Sequence, residues 1–263
     1  MPIAKLDRAI IRLSGDGVES WLEGLITNAL TSDITFAALL TPQGKIIADF
    51  FVHKSGSDLL VETPAKFGAD LLKRLKMYKL RAPITLTDES ETMSVYAIWD
   101  GQGQEGQTDP RQPALGQRLI SAEHLDTTGD YNAHRLSLGI TDSQWDFDTQ
   151  NVFPADAYMD ILRGVDYQKG CFVGQEVVSR MKRMTIVKKR LRGLMFETER
   201  NDIELKVGDA IKSGERTIGE IYSVHAHMGV GMIRLERLKS ATQNLTVGDI
   251  EVNIMRAPDG SDT

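Results

Sequence analysis

The chain has 263 residues, of which 41% are hydrophobic and 26% charged, and its formal net charge is −6. This composition is that of a globular protein, and it excludes disorder over the whole length and a surface coated with nucleic-acid-binding charge. No run of 18 apolar residues is present, so we expect no membrane span. The single cysteine, Cys171, excludes an intramolecular disulfide and a cluster or zinc site held by thiolates of this chain alone. We therefore expect a reducing compartment and a cytoplasmic protein.

The first hundred residues read as alternating strands and helices. Met1 to Leu13 predicts a strand rather than a cleavable targeting segment. Residues 16–29 have helical spacing, with Asp16 as the capping residue. Two further strands, 36–40 and 45–53, are joined by the turn Thr41-Pro42-Gln43-Gly44. A turn at 55–58 leads into a strand at 59–62, and Thr63-Pro64 opens another helix.

The middle of the chain has weaker periodicity. Residues 92–99 predict a strand, and the Gly-, Gln- and Pro-rich residues 101–117 predict an exposed loop or internal linker. The spacing at 101–106 fits GxGxxG superficially, but it opens no helix, so we assign no dinucleotide site to it. Residues 131–138 predict a short helix closed by Gly139.

Helical periodicity disappears after Arg190. The turn Val207-Gly208-Asp209 recurs as Val247-Gly248-Asp249, each time before an apolar strand. This pattern predicts a small C-terminal β-barrel. The chain is therefore predicted to be α+β, with two α+β subdomains in residues 1–187 and a barrel in residues 188–263.

Residues 169–180 carry the strongest motif, which reads Lys-Gly-Cys-Phe-Val-Gly-Gln-Glu-Val-Val-Ser-Arg. Cys171 precedes a predicted helix, where backbone N–H groups, the helix dipole and Lys169 favour a thiolate. Gln175 and Glu176 can hydrogen-bond the edge of a planar heterocycle. A lone cysteine is also commonly a small buried hydrophobe, and Glu176 with Arg180 is also compatible with a surface salt bridge.

A basic run follows the motif, with seven positive charges between Arg180 and Arg192. A solvated charged face explains it, as does a dock for an anionic ligand, an acidic partner or tRNA. The run contains no aromatic residue, so direct tRNA binding is not expected. His225 and His227 form a possible metal pair on one strand face without a third ligand, so a surface strand is favoured and no metal site is predicted.

The motif resembles the signature of the YgfZ family, in which Lys-Gly-Cys is followed by Gly-Gln-Glu and an Arg four residues later. The resemblance spans nearly the whole chain. It includes the segments 153–160, 164–167, 40–45, 218–221 and 231–235. One position differs, because Asp156 stands where relatives commonly have Glu, which shortens the reach of the carboxylate by one methylene.

The resemblance implies a GcvT-like fold, which is the fold of the glycine-cleavage T-protein: a folate-binding ring of α+β subdomains with a C-terminal barrel. It implies a tetrahydrofolate-binding protein, monomeric by default, that acts in iron–sulfur cluster assembly or repair with assembly factors or client enzymes, including those that methylthiolate tRNA. The implied site residues are Cys171 and Lys169 for chemistry and Asp156, Gln175, Glu176 and Arg180 for the folate. If folate binds, the basic run is a candidate dock for its polyglutamate tail, through Lys188, Lys189 and Arg190.

The resemblance leaves the role of the folate open. The chain could catalyse a one-carbon transfer, or the folate could be a structural or sensing ligand. Two other functions remain as alternatives: a folate-dependent aminomethyltransferase of glycine-cleavage type, and a non-catalytic module that binds RNA or protein.

Overall fold

A computed structural model describes residues 1–101, 106–184, 187–198, 204–258 and 260. Part of the predicted 101–117 loop, the centre of the basic run and most of the chain end after Pro258 lie outside these residues. The first part of the chain carries two sheets and four α-helices, in the order β1 Ile3–Leu6, β2 Arg8–Ser14, α1 Val18–Glu23, β3 Ile34–Leu40, β4 Ile46–Ser55, β5 Asp58–Pro64, α2 Ala65–Lys79, β6 Thr85–Asp88, β7 Ser94–Ile98, β8 Gln107–Thr108, β9 Gln117–Ser121, α3 Tyr131–Ser137 and α4 Gln175–Arg183.

The C-terminal part is a barrel with one short helix. Its elements are β10 Lys189–Glu197, β11 Ala210–Ser213, β12 Arg216–His225, β13 Met228–Arg234, α5 Leu235–Lys239, β14 Leu245–Val247 and β15 Ile250–Ile254. Six strands close in the order β10-β13-β12-β11-β14-β15, and β15 pairs back onto β10. The two Val-Gly-Asp turns precede β11 and β15, with left-handed backbone at Gly208 (φ 94°) and Gly248 (φ 57°). The closed strand order confirms the predicted barrel. Both turns use a left-handed backbone conformation, which glycine adopts most readily.

The first part of the chain contains a five-stranded sheet in the order β3-β4-β5-β2-β6 and a four-stranded sheet in the order β1-β7-β9-β8. All pairings among the described strands are antiparallel, which confirms the α+β class. Strand β3 is buried on both faces. Ala37 and Leu39 pack in the core under α1 and α2, whereas Phe36 and Leu40 pack in a second core with Val178 of α4. Strand β3 therefore joins the helix-covered sheet to the segment that carries the motif.

The turn between β3 and β4 has the predicted geometry. Gly44 N–H donates to the Thr41 carbonyl at 2.8 Å, and Gly44 has φ +78°. The predicted helix at 131–138 is also confirmed, with left-handed Gly139 directly after its C-terminal turn. Both elements are set by local turn chemistry.

Three predicted boundaries are wrong. The N-terminal segment forms two strands in different sheets rather than one strand. The predicted helix 16–29 ends at Glu23, and Asp16 does not cap it, because Gly17 takes the N-cap position in a left-handed conformation. Beyond the helix, Thr27 N–H donates to the Ala38 carbonyl at 3.0 Å and Thr27 Oγ1 to the Gly164 carbonyl at 2.6 Å, so the chain leaves the helix to join β3. Helix α2 begins after Pro64, which is the N-cap residue itself.

Residues 107–117 are not an exposed loop. They form β8 and a 3-10 turn at Pro113–Leu115, and Asp109 and Arg111 are both buried. Arg111 donates to Asp109 at 3.0 and 2.8 Å, and Arg118 of β9 reaches the same carboxylate at 3.2 Å. The polar residues that suggested a linker belong to a buried charge network, whose partners are distant in sequence.

Glu62 of β5 lies at the centre of this network. It pairs with Arg118 and with His53 Nε2 at 3.0 Å, so that the five-stranded sheet is joined to the four-stranded one. Burial alone would raise the pKa of Glu62, but the neighbouring Arg118 and His53 outweigh burial and hold this pKa far below its usual range. Arg8 pairs with Asp142 and Arg135 with Asp146 in the same buried layer. Removing one member would leave an uncompensated buried charge, so the network holds the two sheets in one arrangement.

Candidate functional site

The segment after Val152 is a series of turns that places one carboxylate in a buried position. Asp156 is only 3% exposed. Its Oδ2 accepts the Phe153 N–H at 3.1 Å, and its backbone carbonyl accepts the Leu191 N–H at 2.8 Å. Burial raises the pKa of Asp156, although Lys189 and Lys45 are near enough to oppose the shift. Among the described residues, none donates a hydrogen bond to Oδ1, and this oxygen is not one of the fully buried unpaired atoms, so it is open to solvent or to a ligand.

Arg190 of β10 fixes the position of this segment. It donates to both oxygens of Asp160 at 2.6 and 2.9 Å and to the Ala155 carbonyl. Its guanidinium also stacks 4.3 Å from the ring of Tyr158. Bidentate pairing is the strongest kind of arginine–carboxylate contact. Residues on both sides of Asp156 are therefore tied to the first strand of the barrel.

Asp156 lines an open cavity of about 750 Å³ between α4, the start of β10 and α5. Its apolar walls are Phe153, Val177, Met181 and Met184. Its charged lining residues are Asp156 and Glu236 and five cations, which are Arg180, Lys188, Lys189, Arg234 and Arg237. A volume of this size, apolar walls and a few polar groups are the usual features of a small-molecule site.

A second, more polar cavity of about 450 Å³ is lined by Asp160, Tyr167 and Lys182 among others. A small cavity of about 20 Å³ lies between the two. It shares Phe153 and Met181 with the first cavity and Tyr167 and Lys182 with the second. Lys182 Nζ stands 3.6 Å from the Tyr167 ring centroid, and burial raises the pKa of Tyr167 to about 12. The two openings are therefore separated by only a few side chains.

Helix α4 starts at a close glycine–glycine contact. Its N-cap, Gly174, has φ +82°, and a Cβ placed there would lie 2.6 Å from the Thr41 carbonyl oxygen and 3.1 Å from the Gly44 Cα. The start of α4 thus rests directly on the turn between β3 and β4. This contact explains physically why the Gly-Gln-Glu part of the motif begins with glycine.

The other motif residues lie before or at the start of α4. Cys171 is exposed, three residues before Gly174. Lys169 is half-buried, and its ammonium donates to the carbonyls of Glu23, Ile26 and Asn28, just after α1. Burial lowers the pKa of Lys169. These contacts fix the loop that presents Cys171 relative to the end of α1.

The structure brings together two of the six predicted site residues, Asp156 and Arg180, which line the same cavity. Gln175 contacts the carbonyls of Lys169 and Gly170 at 3.4 Å, and it is absent from the lining of both large cavities, as are Glu176, Cys171 and Lys169. Glu176 and Arg180 are both exposed, and no ion pair joins them in the described part of the chain.

The basic run does not form one charged face. Arg180, Lys188 and Lys189 line the large cavity, whereas Arg190 is paired with Asp160 and Arg192 is buried, with NH2 donating to the Met255 carbonyl. Two cations of the cavity, Arg234 and Arg237, were not predicted as site residues. They lie more than forty residues beyond the run, and only the closure of the barrel brings them to α4.

The histidine pair is not a pair on one strand face. Ala226 has φ +50° and turns the chain between β12 and β13, so His227 lies beyond the end of the strand. His225 Nε2 instead lies 2.8 Å from Asp130 Oδ2. Within the described residues, no group of three or more His, Cys, Asp or Glu side chains could hold a metal ion. None of the described helices is long and apolar enough to cross a membrane.

Comparison with known proteins agrees with this architecture. The family model described as the CAF17 C-terminal β-barrel domain matches residues 188–259. The glycine cleavage system aminomethyltransferase T from Bartonella henselae superposes with a TM-score of 0.73 at 14% identity, covering 97% of this chain and 85% of that one. At that identity the likeness concerns the fold.

Curated relatives are fungal proteins named "Iron-sulfur cluster assembly factor IBA57 homolog, mitochondrial". The protein of Mycosarcoma maydis is 30% identical over 223 residues, covering 72% of this chain and 55% of the relative. That of Pyricularia oryzae is 28% identical over 281 residues, covering 89% and 72%, and that of Chaetomium globosum is 31% identical over 240 residues, covering 72% and 55%. The chain spans about half the length of the Mycosarcoma and Chaetomium relatives.

The fold and the barrel define a class, namely proteins with the T-protein fold that end in a CAF17-type β-barrel. The cysteine motif and the named relatives narrow this class further. The chain is similar in sequence to the IBA57 homologues, and its motif resembles the YgfZ signature.

Proposed function

We propose that the chain acts in the assembly or repair of iron–sulfur clusters and binds a reduced folate in the cavity above Asp156. One observation carries the folate proposal: Asp156, only 3% exposed, lines a ligand-sized cavity, and no described residue donates a hydrogen bond to its Oδ1. A ligand that donates to this carboxylate oxygen forms a hydrogen bond to a charged group, which is worth roughly 1.5–3 kcal/mol.

The residues of the cavity fit the parts of a folate. The pterin ring is flat and carries adjacent N–H and NH₂ donors, which match a carboxylate acceptor such as Asp156. The walls formed by Phe153, Val177 and Met181 suit its apolar faces and the benzoyl ring. The glutamate end is anionic and matches the cations at the cavity mouth. When bound, a reduced folate supplies one-carbon chemistry, and the residues present would bind and orient it.

The iron–sulfur role is inferred from the family and from the cysteine count. The relatives are named as cluster assembly factors, and the single thiol of this chain cannot hold a cluster alone. The chain would therefore act on clusters held by assembly factors or client enzymes, including those that methylthiolate tRNA. We also propose a monomer in a reducing compartment, the cytoplasm.

Calorimetric titration of tetrahydrofolate tests the folate proposal. We expect wild type to bind and Asp156→Asn to lose about 30-fold in affinity, the size expected for hydrogen bonds to a charged acceptor. Cys171→Ala, which lies outside the cavity lining, should bind like wild type. The absence of binding by wild type, or equal affinities of wild type and Asp156→Asn, would refute the proposed site.

A further inference from the structure

The cations of the large cavity come from three separate elements. Arg180 belongs to α4, Lys188 and Lys189 lie at the start of β10, and Arg234 and Arg237 lie at the end of β13 and in α5. Glu236 is the only carboxylate among the lining residues besides Asp156. Apart from the buried Asp156, the charged lining residues, which we call the mouth of the cavity, are exposed or half-buried. They are five cations and one anion, a surplus of four positive charges in a chain of net charge −6.

These cations are not held in ion pairs with carboxylates of the described residues. In the described part of the chain, none of the five forms an ion pair, whereas Arg190 between them is paired with Asp160 at 2.6 Å. Arg237 donates to the Thr217 carbonyl at 2.8 Å, which positions its guanidinium without neutralising it. Gathering like charges around one opening raises the local concentration of anions and is unfavourable unless an anion enters.

The apolar walls limit what this anion can be. A ligand of carboxylates alone would leave Phe153, Val177, Met181 and Met184 without apolar partners. Nucleic acid binding would call for aromatic side chains among the cations for base stacking, and the only aromatic residue of the lining is the wall residue Phe153. A ligand with an aromatic body and a chain of carboxylates fits both parts.

We propose that the mouth of the cavity is a subsite for a chain of linked glutamates, so that the protein prefers oligoglutamylated over monoglutamylated folate. The inference rests on the proposed folate function and specifies its ligand. A monoglutamyl tail carries two carboxylates and leaves half of the surplus charge unmatched. Each further γ-linked glutamate adds one carboxylate, so the triglutamyl form, with four, matches the surplus. Affinity should therefore rise up to the triglutamate and change little beyond it.

The sequence alone pointed to a different set of residues. Within the basic run, Lys188, Lys189 and Arg190 are consecutive. Arg190 forms an ion pair with Asp160, so it stabilises the fold and does not face a ligand. Arg234 and Arg237 replace it, so the subsite bridges the motif helix and the barrel. The barrel therefore contributes to the choice of ligand, and this contribution follows from the fold and not from the order of residues in the sequence.

The test is calorimetric titration with mono-, tri- and pentaglutamyl tetrahydrofolate at low and high salt. For wild type we expect roughly tenfold tighter binding of the triglutamate than of the monoglutamate at low salt, since each exposed ion pair contributes a few-fold. The gain should shrink at high salt because these charges are exposed. The pentaglutamate should bind like the triglutamate.

Two double variants and a matched control locate the subsite. Lys188→Ala/Lys189→Ala and Arg234→Ala/Arg237→Ala should each lose most of the triglutamate advantage while binding the monoglutamate within about threefold of wild type. Arg183→Ala/Lys239→Ala removes one exposed cation each from α4 and α5 outside the cavity lining and should keep the advantage.

The outcomes separate the two proposals. If wild type binds no monoglutamate and no triglutamate, the folate function itself is wrong. If wild type binds both forms equally, or if the control pair loses the advantage as much as the cavity pairs, the subsite is wrong while the folate site stands. Equally tight binding of free tri-γ-glutamate would also overturn the inference, because the mouth would then be a general polyanion surface.

Discussion

At the scale of one residue, Asp156 places an ionisable carboxylate in a buried position beside a cavity. Burial makes its charged form unfavourable and raises its pKa, yet its Oδ1 accepts no hydrogen bond from the described residues and stays open to a ligand. Residues with perturbed pKa values in a cavity are frequent at functional sites. Asp156 therefore has the properties of a residue retained for binding rather than for stability.

Asp156→Asn should stabilise the free protein at neutral pH, by on the order of 1 kcal/mol. Because the folded state raises this pKa, the folded protein holds the proton more tightly than the unfolded chain does. Ionisation thus opposes folding, and stability falls as pH rises through the folded pKa. The difference between variant and wild type should be larger at pH 8 than at about pH 3.5, which lies below the pKa of an unfolded aspartate.

Urea unfolding at the two pH values measures this difference. Asp148→Asn, which removes an exposed carboxylate nearby in sequence, is the matched control and should change stability little at either pH. A variant that is less stable than wild type at pH 8 would show that the Asp156 carboxylate supports the fold instead of opposing it.

At the scale of elements, the start of α4 is decided by a backbone contact. The approach of Gly174 to the turn at Thr41 to Gly44 leaves no room for a Cβ. The same helix then lines the cavity with Val177, Arg180 and Met181. The turn between β3 and β4 consequently sets the position of one cavity wall.

Gly174→Ala should destabilise the protein by more than about 2 kcal/mol and weaken folate binding, since it adds a clash with the Thr41 carbonyl to the roughly 1 kcal/mol of a left-handed alanine. Gly56→Ala isolates the second contribution, because Gly56 has φ +64° and nothing within 4 Å of its added Cβ. Equal losses in chemical denaturation for the two variants would exclude the clash as the cause.

Elements governed by local chemistry were predictable, and those governed by distant partners were not. The turn at 41–44, the helix ending at Gly139 and the two Val-Gly-Asp turns each depend on a residue with special backbone freedom. The early end of α1 depends on Thr27 bonding to residues 38 and 164. The burial of Asp109 and Arg111 likewise depends on partners such as Arg118 and Tyr131.

At the scale of the whole molecule, the site is shared between the T-protein-like part and the barrel. The sequence resembles the YgfZ family, and two of the site residues that this resemblance implied, Asp156 and Arg180, line the cavity. It could not indicate Arg234 and Arg237, because their distance from α4 is set by how the barrel closes onto β10. The predicted roles of Cys171, Lys169, Gln175 and Glu176 remain predictions.

The central claim is that folate held above Asp156 serves the maintenance of iron–sulfur clusters. It is tested most directly in cells that lack this protein, by measuring the activity of a client [4Fe–4S] enzyme after complementation. We predict that wild type restores the activity, while Asp156→Asn, present at the same level, restores less than about a tenth of it. Full restoration by Asp156→Asn, despite loss of folate binding in vitro, would contradict the claim and separate the folate site from the cluster function.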